Sequence, residues 1–393
     1  MNIKLIVSKL GVFYFLIIFA LFSCENEKVA KNDALPTSFK LEIDSINASE
    51  FAILFIQDIY NSDTISARNK IDIEFEGDTS CCFDLLSIHE VFDELDLFTQ
   101  LNKQVVLGAD LSLLKYSEET EQKRILLRLF SAPQEVEYYE LILDVHNNNI
   151  VVVDYKSVYS NWKASEMLNE LIDISCSNKL DLSNIERSFL YLDSMQGAFN
   201  NFNPDLAQSY YKSISPILIN SRLVNRVKTL IGLHSDEEVR ISYLMNEIDE
   251  SNVSNSRYWL FSFYLDVLQE ENNQARIKLN RLKEIIGEDP ILIYLEATTY
   301  FEEYNYNNAL ELYNDALVLD ATIPNIHFAK VICLIEMKEY VQAVESLLVM
   351  EDYFEVININ WDKEFMGYPD FLISDEYSRW LERVGANNEE ELL

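Results

Sequence analysis

Glycine is scarce in this chain of 393 residues: there are eight, and the closest two, Gly367 and Gly385, stand eighteen residues apart. Phosphate-cradling loops need several glycines within a few residues, so that the backbone can turn tightly and approach the anion. No such loop can be written here, which excludes the usual nucleotide-binding folds. Positive charge is scarce too, with 31 Lys and Arg against 66 Asp and Glu and a formal charge of -35. So acidic a chain repels nucleic acid and anionic lipid surfaces, and no basic cluster offsets this locally. Neither the four histidines nor the five cysteines have zinc-knuckle spacing. There is no Gly-x-Ser-x-Gly elbow and no cysteine beside a recognisable histidine motif, so no nucleophilic site is legible. With seven prolines beside the eight glycines, helices are favoured over a many-stranded barrel.

What the chain does have is apolar mass. Hydrophobic residues make up 49%, with 22 Tyr and 22 Phe, enough to bury a core in spite of the charge. The first such mass is the run Leu10–Phe22, preceded by Lys4 and Lys9. As a helix it reaches about 20 Å, too short for a ~30 Å hydrocarbon core, so it reads as a secretory h-region and not a membrane span. It ends at Leu21-Phe22-Ser23-Cys24, which resembles the lipobox of bacterial lipoproteins. The resemblance implies cleavage before Cys24 and lipidation of its thiol, hence an anchored protein of the cell envelope. The outer membrane is the expected site, on its periplasmic or surface face. Residues 1–23 are then the signal peptide and 24–38 a polar tether.

Residues 39–162 have mixed periodicity. Ser49–Tyr60 and Ile88–Leu101 carry apolar residues at three and four spacing, and three strand-like runs follow: Arg124–Phe130, Val136–Val145 and Ile150–Tyr159. His146-Asn147-Asn148-Asn149 between the last two is a hairpin corner, because asparagine tolerates positive φ. Helices on a three- or four-stranded antiparallel sheet make a small α+β domain, for which a cone similar to that of nuclear transport factors is one candidate. Residues 163–255 read as a helical connecting region, with degenerate repeats as one reading of it. It includes Lys163–Cys176, Ser215–Ile231 and Ser235–Ile248, the last opened by a Ser235/Glu238 capping box.

The C-terminal third repeats itself. Pro290 and Pro324, Tyr306 and Tyr340, and Ala309 and Ala343 are each 34 residues apart, and Ala275 and Leu279 extend the series one period back. Polar corners at Glu270–Gln274, Tyr304–Asn308 and Lys338–Gln342 split each unit in two. The pattern resembles the tetratricopeptide repeat (TPR) family. Unit 290–323 fits it best, through Ala297, Tyr300, Ala309, Tyr313 and Ala316. Its neighbours depart from it, with Phe263 and Asp266 in 256–289 and Met350 in 324–357. The whole is then mainly α, an α+β domain followed by a TPR-like solenoid over 256–357, with a capping helix and acidic tail in 358–393.

In that family the first helices of successive units line a concave peptide-binding surface. Carried over, the lining is Arg257, Leu260 and Tyr264, then Tyr294, Thr298 and Phe301, then Phe328, Ile332 and Ile335. An apolar lining of this kind has two readings: a partner protein docks on it, or the Tyr353–Trp380 segment covers it from within. Two metal-like patterns fall short. His89-Glu90-Val91-Phe92-Asp93 lacks the second imidazole of a zinc protease, and Asp72, Glu74, Glu76 and Gly77 open a calcium loop whose closing acid is replaced by Phe83. Cys81 or Cys82 with Cys176 would suit a disulfide outside the cytoplasm, with buried free thiols, Cys333 among them, as the alternative. The expected function is therefore non-catalytic protein docking without metal or cofactor. Glycan or small-ligand capture, and a hydrolase site in the N-terminal domain, are the alternatives.

Overall fold

The computed structural model describes residues 43–73, 97–119, 122–131, 135–159, 161–177, 204–248 apart from 217, 235 and 236, then 255–353 and 361–390, with isolated positions between 187 and 198. It is mostly helical with one four-stranded antiparallel sheet. Two compact units separate at Phe261 and Ser262. Among the described residues no helix is long and apolar enough to cross a membrane.

The first unit opens with α1, Ser45–Tyr60. Asp44 caps it by accepting from the amides of Ile46 and Asn47, while the Asn47 side chain accepts from the Asp44 amide. That capping box sets the start four residues ahead of the apolar pattern. Ala48, Phe51, Ala52, Phe55 and Ile59 form the buried stripe. After the short α2 (Thr64–Arg68) and α3 (Leu97–Val106) comes a meander of β1 (Asp110–Glu119), β2 (Gln122–Ser131), β3 (Glu135–His146) and β4 (Asn149–Ser157), paired in that order. Leu111, Leu127, Leu129, Leu141, Leu143 and Tyr155 join the α1 stripe in one core. The β3–β4 corner has Asn147 at φ 51° and Asn148 at φ 63°, the two positive angles that a two-residue turn of matching twist requires.

Helix α4, Ala164–Ser177, is tied to β4 by Asp154, which accepts from the Ser165 amide at 3.1 Å and hydroxyl at 2.7 Å. It is followed by α5 (Pro204–Tyr211), α6 (Arg222–His234) and α7 (Glu237–Glu247). Helix α6 begins seven residues after the expected Ser215, because Pro216 disfavours helix at the preceding residue and Ser221 supplies a hydroxyl to the Val224 amide. At the α6–α7 contact the Tyr243 hydroxyl donates to Thr229 Oγ1 at 2.7 Å, across Gly232.

Helix starts then recur at 34-residue intervals. Helices α8 (Ser256–Leu268), α10 (Pro290–Glu302) and α12 (Pro324–Glu336) alternate with α9 (Asn272–Ile286), α11 (Tyr306–Leu319) and α13 (Tyr340–Tyr353). The corners repeat atom for atom. Glu270, Tyr304 and Lys338 have φ of 62°, 59° and 62°. At each, the next amide donates five residues back, from Glu271 to Asp266, Asn305 to Tyr300 and Glu339 to Leu334, at 2.8, 2.9 and 2.9 Å. This is the Schellman closure, built here without glycine. Ala275, Ala309 and Ala343 are fully buried one helical turn later, where a larger side chain would hold the paired helices apart.

A left-handed residue other than glycine costs about 1–2 kcal/mol, partly offset because glycine is freer in the unfolded chain. Glu270→Gly and Lys338→Gly are therefore expected to raise stability by about 0.5–1 kcal/mol each in urea denaturation. A loss of stability in both would show that these corners are not left-handed in solution.

The chain ends in α14 (Trp361–Glu364), α15 (Pro369–Leu372) and α16 (Asp375–Glu390). Their Trp361, Phe365, Phe371, Tyr377 and Trp380 are buried together with Val331, Leu334 and Leu347 of α12 and α13.

Candidate binding groove

The nine lining residues fall into three environments. Arg257 and Leu260 belong to the first compact unit. Leu260 is fully buried, and the Arg257 guanidinium is engaged, 2.9 Å from Glu247 Oε2 and 4.7 Å from the centroid of the Phe261 ring. Neither offers a free group to a ligand.

In the second unit Tyr264, Thr298 and Phe301 are half-buried, whereas Tyr294 and Ile335 are buried. The Tyr294 ring lies 6.0 Å from that of Tyr313, and burial pushes its hydroxyl pKa up to about 12. Thr298 turns its hydroxyl back on its own helix, donating to the Tyr294 carbonyl at 2.9 Å. Phe301 has its ring 5.4 Å from Tyr306.

Phe328 and Ile332 are packed against the C-terminal aromatic cluster. The Phe328 ring stacks on Phe365 with centroids 6.0 Å apart and planes 16° apart. At this third repeat the lining is covered by residues 361–380 of the same chain. Within the second unit, Tyr264, Thr298 and Phe301 are the half-buried lining positions outside the C-terminal aromatic cluster.

Sequence reasoning missed an aromatic, acidic edge beside Phe301. Tyr304 is 72% exposed and stands edge-on to Tyr306, 6.2 Å between centroids. The Tyr306 hydroxyl donates to Glu336 Oε2 at 3.4 Å, and burial followed by the Glu336 charge pushes its pKa up to about 12. Glu302, Glu303 and Glu336 are exposed around these rings. Glu303 also pairs with Arg276 at 3.0 Å, whose guanidinium sits 4.2 Å from the centroid of the Tyr300 ring. The signal for this edge was the 34-residue corner itself, since the left-handed Tyr304 throws its side chain outward.

Of the metal-like patterns, Asp72 pairs with His146, Oδ2 to Nδ1 at 2.8 Å. Among the described residues no three His, Cys, Asp or Glu side chains converge as metal ligands would. Cys333 is a buried free thiol that donates to the Tyr306 carbonyl at 3.4 Å, and burial pushes its pKa up to about 12, which keeps it protonated and inert. Residues 74–77, His89, Asp93, Cys24, Cys81 and Cys82 lie outside the described residues, as does the side chain of Cys176. No family model matches the chain, and no curated protein sequence matches it.

Proposed function

We propose that this chain is a lipid-anchored protein of the bacterial cell envelope whose C-terminal, TPR-like helical array docks another polypeptide without catalysing a reaction. The observation that supports it most is the 34-residue recurrence of helix starts and Schellman corners over α8–α13. Stacked helix pairs of that period serve widely as docking surfaces. The anchor rests on Cys24 and the apolar run before it, with residues 24–38 as tether. Anchoring raises the local concentration of the docking surface at the membrane.

The occupied length of the surface is short. With Phe328 and Ile332 covered by the C-terminal aromatic cluster, the docking positions are Tyr264, Thr298 and Phe301, with Tyr304 at their edge. The partner that suits them has apolar side chains flanked by basic ones, which the exposed Glu302, Glu303 and Glu336 attract. Burial of Trp380 counts against the glycan-capture reading, whereas Trp259 is only half-buried and the exposed Tyr304 ring counts for it.

The test is a fractionation and cross-linking experiment on three full-length forms. Wild type is expected in the membrane fraction, cross-linked to one reproducible partner. Cys24→Ala is expected to be unprocessed at residue 24 and unlipidated. Phe301→Ala/Tyr264→Ala is expected to stay anchored, melt as wild type and lose at least tenfold of the cross-linked product. Normal processing and membrane retention of Cys24→Ala would remove the anchor, and undiminished cross-linking by the double variant would remove the docking surface.

A further inference from the structure

Where α10 and α12 end, the chain sets negative charge against the helix dipole. Each helix closes on a glutamate, Glu302 and Glu336, one repeat apart, and neither has a basic residue in its last turn. The carbonyl end of a helix carries partial negative charge, so a carboxylate there is unfavourable and a cation favourable. Glu336 is exposed and has no ion pair among the described residues. The Tyr306 hydroxyl reaches it at 3.4 Å, a long hydrogen bond that leaves most of the carboxylate open.

Aromatic rings stand round this acid. Tyr306 has Phe301 on one side, with centroids 5.4 Å apart and planes at 57°, and Tyr304 on another, 6.2 Å apart at 85°. A ring standing upright on its neighbour makes an open corner, in which one cation meets two π-faces within the ~6 Å over which they attract it. Burial and then the Glu336 charge raise the pKa of Tyr306 and of Tyr368; at Tyr340 burial is followed by Asp370 and then Glu336. Every charge acting on these three hydroxyls is negative. Lys338, the base nearest Glu336 in sequence, is exposed and acts on none of them.

The corner also selects the kind of cation. A hard metal ion needs a cage of oxygens, and among the described residues no three acids converge. A planar guanidinium stacks flat on one ring and leaves a corner unfilled. A methylated ammonium is nearly spherical and gives up its water cheaply, which suits two ring faces and an exposed carboxylate. An anionic group elsewhere on the ligand would be repelled by Glu302 and Glu336.

We propose that the corner between Tyr304 and Tyr306 binds a small quaternary ammonium cation, with its methyl groups on the two rings and its charge beside Glu336. The site adjoins the docking positions and holds whether or not a polypeptide docks there.

The experiment titrates choline chloride into the purified protein and follows the N-methyl resonance by saturation-transfer NMR. The comparison ligands are 3,3-dimethyl-1-butanol, which is the uncharged isostere of choline, then ethanolammonium, phosphocholine and glucose. Choline is expected to saturate one site, and each comparison ligand to bind at least about threefold more weakly. Tyr304 is 72% exposed, so Tyr304→Ala is expected to melt as wild type while weakening choline about two- to fivefold, and Tyr304→Phe to bind as wild type. Glu336→Gln is expected to weaken choline about fivefold, the Coulomb gain of a contact at ~4 Å in water. Equal binding of the uncharged isostere would deny the charge its role, and equal binding of ethanolammonium would deny the methyl groups theirs. Tighter binding of phosphocholine or glucose would assign the corner to a lipid head group or a sugar. Unchanged choline affinity in both Tyr304→Ala and Glu336→Gln would place the cation elsewhere, and any one of these results overturns the proposal.

Discussion

Phe365→Ala is expected to destabilise the C-terminal unit by about 3–5 kcal/mol, as truncation of a well-packed aromatic core residue does. Phe365 is fully buried, with ring centroids 6.0 Å from Phe328, 5.7 Å from Trp361, 5.2 Å from Phe371 and 6.0 Å from Tyr377. Its ring thus meets both the α12 stripe and the aromatics of the C-terminal helices. Helices α14 and α15 span four residues each and have almost no helical stability of their own, so this packing holds them. Limited proteolysis of the variant is expected to cut residues 361–390 first and to leave α10 and α11 protected. Met366→Ala is the control: its side chain is 71% exposed, and the change is expected to stay within about 0.5 kcal/mol. Similar losses from both substitutions would mean that the aromatic cluster does not hold the covering segment in place.

The same cluster marks where sequence reading runs out. The 34-residue period, the polar corners and the small residues after them were legible, because each is a local requirement written in one residue type at one spacing. The asparagine corner between β3 and β4 was legible for the same reason. Strand β1 was not named among the strand runs. Ser112, Lys115 and Ser117 dilute its apolar alternation, and a register shift between Leu113 and Lys115 moves the pattern to the other face midway. The start of α1 was missed because its cap is an Asp44/Asn47 pair and not the more common Ser or Thr with Glu.

Phe328 and Ile332 illustrate a deeper limit. An apolar stripe at helical spacing reports that a face is buried, and says nothing about what buries it. A partner protein and α14–α16 leave the same signature in α12. Deciding between them takes the distances to Phe365 and its neighbours.

Charge burial in the sheet leads to a second large effect. Arg128 on β2 is 1% exposed and sits opposite Ser112 on β1. Its Nη2 donates to Asp110 Oδ2 at 2.8 Å and to Ser112 Oγ at 3.0 Å, and the Ser112 hydroxyl donates to the same carboxylate oxygen at 2.8 Å. Tyr60 links this corner to α1, accepting from the Leu111 amide at 2.9 Å. Asp110→Ala removes one carboxylate that pairs with Arg128, beside a guanidinium desolvated inside the sheet. Removing one partner of a fully buried pair costs about 3–5 kcal/mol. Because the Asp110 side chain is 36% exposed, water reaches the gap, and a loss of about 2–3 kcal/mol is expected. Arg128→Met removes the charge together with its need for a partner and keeps most of the volume, so it is expected to cost less than Asp110→Ala. The double variant is expected to be more stable than Asp110→Ala alone, by about 1–2 kcal/mol in urea denaturation. The reverse order, with Arg128→Met the worse of the single variants and no recovery in the double, would mean that the arginine stabilises the sheet through its packing, and that the carboxylate is dispensable.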